Sequence, residues 1–270
     1  MIKTTAMARP KGLIEFEGTL GGITSYMLNG KQVLRQSRGS EKEKIKTGSR
    51  HERTQENMME FSGAVAAAKV LRQSLMPVAR SFSDPGFTGT LQGKYRDMIS
   101  VASGKRGQRV FKPLLHADAI MAIPFNKDLH LDSVLRVKPN ITTNIERTAA
   151  TLSLSLNTTT DIFTPAGATH VELIYAIAVQ PAFEYDAHIN KYKRTDGLDK
   201  NYMQHISSAL LPVYVNEAVD ISLTAPQIGL PLLPVDSALV SVLGIRFHQQ
   251  IGFKTYPLET GAAMGFVGVS

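Results

Sequence analysis

The chain has 270 residues, of which 43% are hydrophobic and 20% charged, a composition typical of a folded globular protein rather than a disordered one. It contains no cysteine, which excludes disulfides, thiolate zinc sites and cysteine nucleophiles. The net charge of +7 is uneven: residues 1–113 hold 20 Lys+Arg and 9 Asp+Glu, a difference of +11, and residues 114–270 hold 10 and 14, a difference of −4. A basic half favours binding to a polyanion, or binding to the acidic half of another copy in a head-to-tail assembly.

Residues 1–38 are predicted to form an N-terminal β-ribbon arm. Asn29-Gly30 lies between two runs of strand-forming residues, and these two residue types favour a type I′ turn. A two-residue turn sets the register, so that Leu28 faces Lys31. Both faces of the resulting ribbon are partly apolar, so both need cover.

The ribbon is followed by residues 39–53, a predicted charged linker whose charges alternate in sign. A two-sided apolar ribbon on a polar tether suits pairing with another subunit by strand addition or exchange. The alternative is that the ribbon folds back onto its own domain. The candidate subunit contacts are the large apolar side chains of the ribbon: Ile14, Phe16, Ile23, Tyr26, Met27, Val33 and Leu34.

Residues 54–125 are predicted to form a helical segment that begins at Thr54 as the N-cap. Apolar residues then recur at steps of three or four, as expected of an amphipathic helix, at Met58, Phe61, Val65, Ala68, Leu71, Leu75 and Val78. Pro77 should kink this helix or open a new one. A second amphipathic helix over about 89–102 completes a helical hairpin.

The densest basic cluster, residues 105–112, follows the second helix. A solvated loop is one interpretation, and a nucleic-acid contact is the other. The candidate polyanion contacts are spread over the basic half of the chain: Arg35, Arg38, Arg50, Arg53, Lys105, Arg106 and Arg109.

Residues 126–270 show the period of two that is typical of strands. Residues 171–179 and 239–247 are apolar on both faces, which predicts central strands, whereas residues 151–156 alternate as a half-buried strand does. Seven or eight such strands, separated by turn signals, predict an antiparallel β-sandwich. Residues 185–200 read as a polar hairpin tip or loop. The fold class is therefore α+β.

No local motif indicates catalysis. The chain lacks a phosphate loop, a dinucleotide fingerprint and a nucleophile elbow, and its seven histidines are scattered. His130 and Asp132 are a weak pair of potential ligands that suits ordinary surface charge better. We expect no enzymatic activity, cofactor, metal or small-molecule substrate.

The first residues lack the apolar run of a signal peptide, and no stretch approaches the ~18 continuous apolar residues of a membrane helix. We therefore expect a cytoplasmic protein without membrane insertion.

Several stretches together resemble an uncharacterised family of Bacteroidota proteins. They are, in chain order, ARPKGLIEFEGTLGGITSY, RTQENMMEFSGAVAAAKVLRQSL, FTPAGATHVEL and LGIRFHQQIGFKTYPLETGAAMGFVGV. The resemblance implies a glycine-rich N-terminal β segment, a helical segment and a C-terminal β-sandwich. The resemblance implies no activity and assigns no site residues.

The leading hypothesis is a structural protein that self-assembles with copies of itself into a homo-oligomer, filament or tube. Its N-terminal ribbon would pair with a neighbouring subunit. The alternative is a nucleic-acid-binding protein that uses its basic half. A third hypothesis, an adhesion or sugar-binding sandwich, is disfavoured by the absence of tryptophan and of an export signal.

Overall fold

The computed structural model describes residues 7–8, 16–28, 30–36, 45 and 48–270. The described residues up to Gln55 form one compact unit, and residues 56–270 form a second. The predicted α+β class is confirmed: an N-terminal sheet, a helical region and a C-terminal antiparallel β region follow one another along the chain.

The smaller unit contains an antiparallel four-stranded ribbon in the order β1-β4-β3-β2. Its strands are β1 (Met7–Ala8), β2 (Gly18–Leu20), β3 (Ile23–Leu28) and β4 (Lys31–Gln36). Leu28 pairs with Lys31 across a two-residue turn, so the predicted register is confirmed. Asn29 itself, together with Ile14 and Arg38, lies outside the described residues.

The first long helix begins earlier than predicted. A 3-10 turn at Ser49–His51 leads directly into helix α1 (Glu52–Ala79), so Thr54 is a helical residue and the N-cap prediction was wrong. The Gln55 side chain donates hydrogen bonds to the carbonyl oxygens of Ile45 at 2.9 Å and Gly48 at 3.1 Å. These bonds tie the first helical turn to the preceding chain. Because α1 begins at Glu52, Thr54 lies inside the helix rather than at its N-terminus.

The remaining helices are shorter. The predicted second helix, over about 89–102, lies close to its predicted position. They are α2 (Phe87–Val101), a 3-10 turn at Pro113–His116, α3 (Ala117–Met121) and α4 (Leu131–Val134). Helix α1 continues past Pro77 to Ala79 instead of stopping at the proline.

The predicted apolar stripe on α1 is right at its C-terminal end and wrong at its start. Leu71, Leu75 and Val78 are buried, but Met58 and Phe61 are half exposed. Glu60 and Gly63 take the buried positions of the early turns because they contact the loop after α2 and strand β9, respectively.

Eleven strands lie in the larger unit. Their bounds are β5 (Asn140–Thr143), β6 (Ala150–Asn157), β7 (His170–Gln180), β8 (Phe183–Asp186), β9 (Lys191–Arg194), β10 (Met203–Ser207), β11 (Leu211–Pro212), β12 (Ala218–Ala225), β13 (Ala238–Ile251), β14 (Lys254–Pro257) and β15 (Ala263–Val269). A six-stranded sheet centres on the pair β7 and β13, with β10 and β11 on the outer side of β7 and β14 and β15 on the outer side of β13. A three-stranded sheet has the order β12-β6-β5, and β8 and β9 form a separate hairpin.

The larger unit has three layers. One face of β7 packs into a core shared with the three-stranded sheet, through Val171, Leu173, Tyr175, Ile177 and Val179. The other face of β7 packs against the helices, through Ile174, Ala176 and Ala178. The predicted central strands are therefore confirmed. Residues 56–270 form one compact unit rather than a helical segment (54–125) beside a sandwich domain (126–270), because the helices cover the second face of the sheet.

The predicted polar insertion is a hairpin that packs on α1. Tyr192 of β9 is buried, and its ring lies so close to Gly63 that a Cβ atom at Gly63 would be 2.7 Å from the ring carbon Cγ. Only glycine permits this approach of the hairpin to the helix.

We expect Gly63→Ala to lower the free energy of unfolding by about 1–3 kcal/mol, because the overpacking against Tyr192 outweighs the better helix propensity of alanine. The matched control is Gly93→Ala in α2, where an added Cβ meets nothing within 4 Å; it should raise stability by about 0.5–1 kcal/mol. Denaturant titration of both variants measures the difference. If the free energy of unfolding changed in the same direction in both variants, the close packing of Tyr192 against Gly63 would be contradicted.

Candidate interaction surfaces

One face of the N-terminal ribbon exposes a row of large apolar side chains. Leu20 and Ile23 are directly opposite each other on β2 and β3 and are 69% and 45% exposed. Met27, on the same face of β3, is 51% exposed. Alternation along the strands places these three side chains on one side of the ribbon.

A polar contact orders the middle of this face. The Gln32 side chain donates hydrogen bonds to the Ser25 hydroxyl at 2.9 Å and to the Phe16 carbonyl oxygen at 3.0 Å. Ser25 is buried. The contact therefore holds the chain before β2 against the paired strands β3 and β4.

The opposite face is better covered. Val33 is only 8% exposed, and the Arg35 guanidinium lies 5.7 Å from the centre of the Tyr26 ring, in cation–π contact. Leu28 is exposed on this face near the turn.

The predicted subunit contacts therefore differ in how much surface they offer. Ile23 and Met27 are exposed, while Phe16, Tyr26 and Leu34 are partly buried and Val33 is buried. Sequence reasoning missed Leu20, whose position opposite Ile23 depends on the short strand β2.

Near its turn, the ribbon has edge segments that pair with no strand among the described residues. Among the described residues, β1 pairs only with Leu34 and Arg35 of β4, and β2 pairs only with the first half of β3. The outer edges of residues 26–28 and 31–33 therefore have no strand partner in the described part of the chain. Unpaired strand edges of this kind accept added strands.

The predicted basic cluster lies after α2, and two of its arginines form ion pairs with glutamates of α1. The Arg109 guanidinium lies 3.1 Å from the Glu60 carboxylate, and that of Arg106 lies 3.5 Å from the Glu56 carboxylate. Glu60 is buried and also accepts a hydrogen bond from the Gly107 backbone nitrogen at 2.8 Å. Glu56 and Glu60 are four residues apart, so they share one face of α1, which is the signal that could have revealed the pairing.

A cleft of about 570 Å³ between α1, α2 and this loop contains three arginines and two carboxylates, Arg96, Arg106, Arg109, Glu60 and Asp97. Arg96 is paired with Asp97 at 2.8 Å. Each guanidinium in the cleft thus has a carboxylate beside it, which reduces its attraction for a polyanion.

The other described basic candidates are Lys105, which precedes Arg106 in the same loop, and Arg35, Arg50 and Arg53 of the smaller unit. Lys105, Arg50 and Arg53 are exposed, and Arg35 belongs to the ribbon.

Comparisons with protein-family models, curated proteins and solved structures found no match to this chain. The resemblance to a Bacteroidota family stays a prediction. In the described part of the chain, no helix is long and apolar enough to span a membrane, and no group of three or more His, Asp or Glu side chains is arranged to hold a metal ion.

We expect Arg109→Ala to lower the free energy of unfolding by about 2 kcal/mol, because it leaves the buried Glu60 carboxylate without its guanidinium partner. Arg96→Ala is the matched control, since it removes an arginine from an exposed pair, and should cost less than about 1 kcal/mol. Denaturant titration distinguishes the two. Equal losses would mean that the Glu60–Arg109 pair is no more important than a surface contact.

Proposed function

We propose that this protein is a structural, self-assembling subunit of a homo-oligomer, filament or tube, and that its N-terminal ribbon pairs with a neighbouring copy. The observation that carries the proposal is the exposed apolar row formed by Leu20, Ile23 and Met27 on one face of the ribbon. Scattered apolar residues are normal on a protein surface, but neighbouring ones on one sheet face indicate an interaction site.

Burial of this apolar row against a neighbouring subunit would contribute part of the free energy of association. Complete burial of a Leu, Ile or Met side chain is worth roughly 1.5–3 kcal/mol, and these three are already partly covered. The row is thus worth a few kcal/mol per contact, which is small for a lone dimer. In a repetitive assembly each subunit makes the contact more than once, so weak contacts suffice.

The edges of residues 26–28 and 31–33, which pair with no described strand, support the same proposal. A strand from a neighbour added there would contribute backbone hydrogen bonds in addition to the apolar contact. The two contributions are complementary, because the apolar row gives affinity and strand pairing gives register.

Nucleic-acid binding by the basic half has less support. Two of its candidates, Arg106 and Arg109, are paired with Glu56 and Glu60, which reduces their attraction for phosphates. If the protein did bind a polyanion through phosphates, the affinity would fall steeply with salt.

The double variant Ile23→Asp/Met27→Asp tests the proposal in the full-length chain. Both side chains are about half exposed, so the charges should be tolerated by the folded subunit. They place two carboxylates in the contact, and we expect the assembly to dissociate to subunits in light scattering behind a sizing column.

The control is Val101→Asp, which puts a charge on another exposed apolar residue, at the end of α2, and should leave the particle mass unchanged. Circular dichroism checks that all variants remain folded. A double variant with the wild-type particle mass would refute the role of the ribbon.

A further inference from the structure

Strand β12 is the outer strand of the three-stranded sheet, and its outer edge is long and regular. It pairs with β6 along all of its 8 residues, from Ala218 opposite Asn157 to Ala225 opposite Ala150, without a shift of register. In the described part of the chain, no strand pairs with its other side and no further backbone hydrogen bond reaches it. The outward N–H and C=O groups of this strand are therefore available to an added strand.

The other outer strands of the larger unit carry features that discourage strand pairing. Strand β14 contains Lys254 and Pro257, and β9 contains Lys191 and Lys193. Strands β5 and β10 are short, with 4 and 5 residues. Lysine, proline and short length are the usual means by which proteins prevent edge strands from pairing with one another. Strand β12 has none of these features, and its one charged residue is Asp220.

The side chains of β12 alternate between two faces. Ile221 and Leu223 are buried in the core between the two sheets, and Val219, which points to the same face, is 40% exposed. Asp220 and Ser222 point to the opposite face and are exposed. The apolar face of β12 thus continues beyond the cover that its own subunit provides, and an added strand would bury Val219.

A second copy of β12 complements this edge. A two-fold axis perpendicular to the sheet makes the two β12 strands antiparallel and keeps their apolar faces on the same side. The two three-stranded sheets would then join into one continuous sheet of six strands. With Ile221 at the axis, Val219 lies opposite Leu223 of the second copy, so that apolar side chains meet on the core face.

The same register suits the polar face. Asp220 lies opposite Ser222 of the second copy, so each carboxylate meets a hydroxyl and the two carboxylates do not face each other. A shift that puts Ser222 at the axis would place Val219 opposite the small Ala225 and would bury less apolar surface. The sequence of β12 is therefore self-complementary with Ile221 at the axis, which favours a second copy as the partner.

We propose that the outer edge of β12 pairs antiparallel with β12 of a second copy of this chain across a two-fold axis. The contact goes beyond the proposed function, because it uses the larger unit and not the ribbon, and it rests on that function only in taking a copy of the chain as the partner. Two different contacts per subunit are what an extended assembly requires. A strand of a different protein is the competing occupant of the edge.

The absence of cysteine allows a disulfide test in the full-length protein. Asp220→Cys chains are mixed with Ser222→Cys chains under mild oxidation, and the covalent dimer is measured by non-reducing denaturing electrophoresis. Directly opposite residues of antiparallel strands have Cα atoms about 4.5–5.5 Å apart, within the range of a disulfide. The matched control mixes Ser153→Cys with Ser155→Cys chains, whose thiols lie on the same face of the sheet but on β6, one strand further from the edge.

We expect the β12 pair to give at least ten times more dimer than the β6 pair. Val219→Lys, added to both β12 variants, should reduce the yield to the β6 level, because an inward lysine would be buried against the second copy. Val219 is 40% exposed, so the free subunit should accommodate the lysine, and circular dichroism checks its fold. If Val219→Lys unfolded the chain, the comparison with the β6 pair alone would decide.

A dimer yield equal to that of the β6 pair would overturn the proposal, including the case in which a different protein occupies the edge. A yield that a folded Val219→Lys variant leaves unchanged would overturn it as well.

The same disulfide test in the Ile23→Asp/Met27→Asp background separates the two contacts. A disulfide that persists there while larger particles are lost supports the β12 contact and the ribbon contact together. A disulfide that persists while the particle mass is unchanged supports the β12 contact and refutes the ribbon contact. Particles that form without a specific β12 disulfide refute the β12 contact alone.

Discussion

The pairing of β7 with β13 organises the larger unit. Both strands are buried on both faces, since large apolar side chains of β7 point to the three-stranded sheet and smaller ones point to the helices. A sheet that is apolar on both faces requires a layer on each side. The three-stranded sheet supplies one layer and helices α1 and α2 supply the other, so the helical and β segments of the sequence cannot form separate domains.

Small side chains and one buried ion pair belong to the helical layer. Ala176 and Ala178 of β7 lie in the same buried core as Ala64, Ala67 and Ala68 of α1. At the far end of the layer, Glu60 joins α1 to the loop after α2, as described above. Charge that looks like a basic surface in the sequence is therefore used inside the subunit, where it holds two elements together.

Features set by local pattern could be predicted from the sequence, and features set by distant contacts could not. The two-residue turn at Gly30 and the alternation along β6 and β7 depend on neighbouring residues, and their register and faces were predicted correctly. The Glu60–Arg109 pair joins residues 49 positions apart, and the Gln55 side chain in the first turn of α1 bonds to Ile45, 10 positions earlier. For the candidate sites, the apolar ribbon was foreseen, whereas Leu20 and the outer edge of β12 emerge only when the strands are placed together.

The proposed assembly depends on apolar surface rather than on charge, and this dependence can be measured directly. Apolar contacts are not weakened by salt, whereas contacts between exposed charges are screened. The decisive measurement is the mass of the purified protein by light scattering behind a sizing column, at low and high salt. We predict a mass several times that of the 29.5 kDa chain at both salt concentrations. A monomer at both would contradict the proposed self-assembly, and a particle that high salt dissolves would contradict its apolar origin.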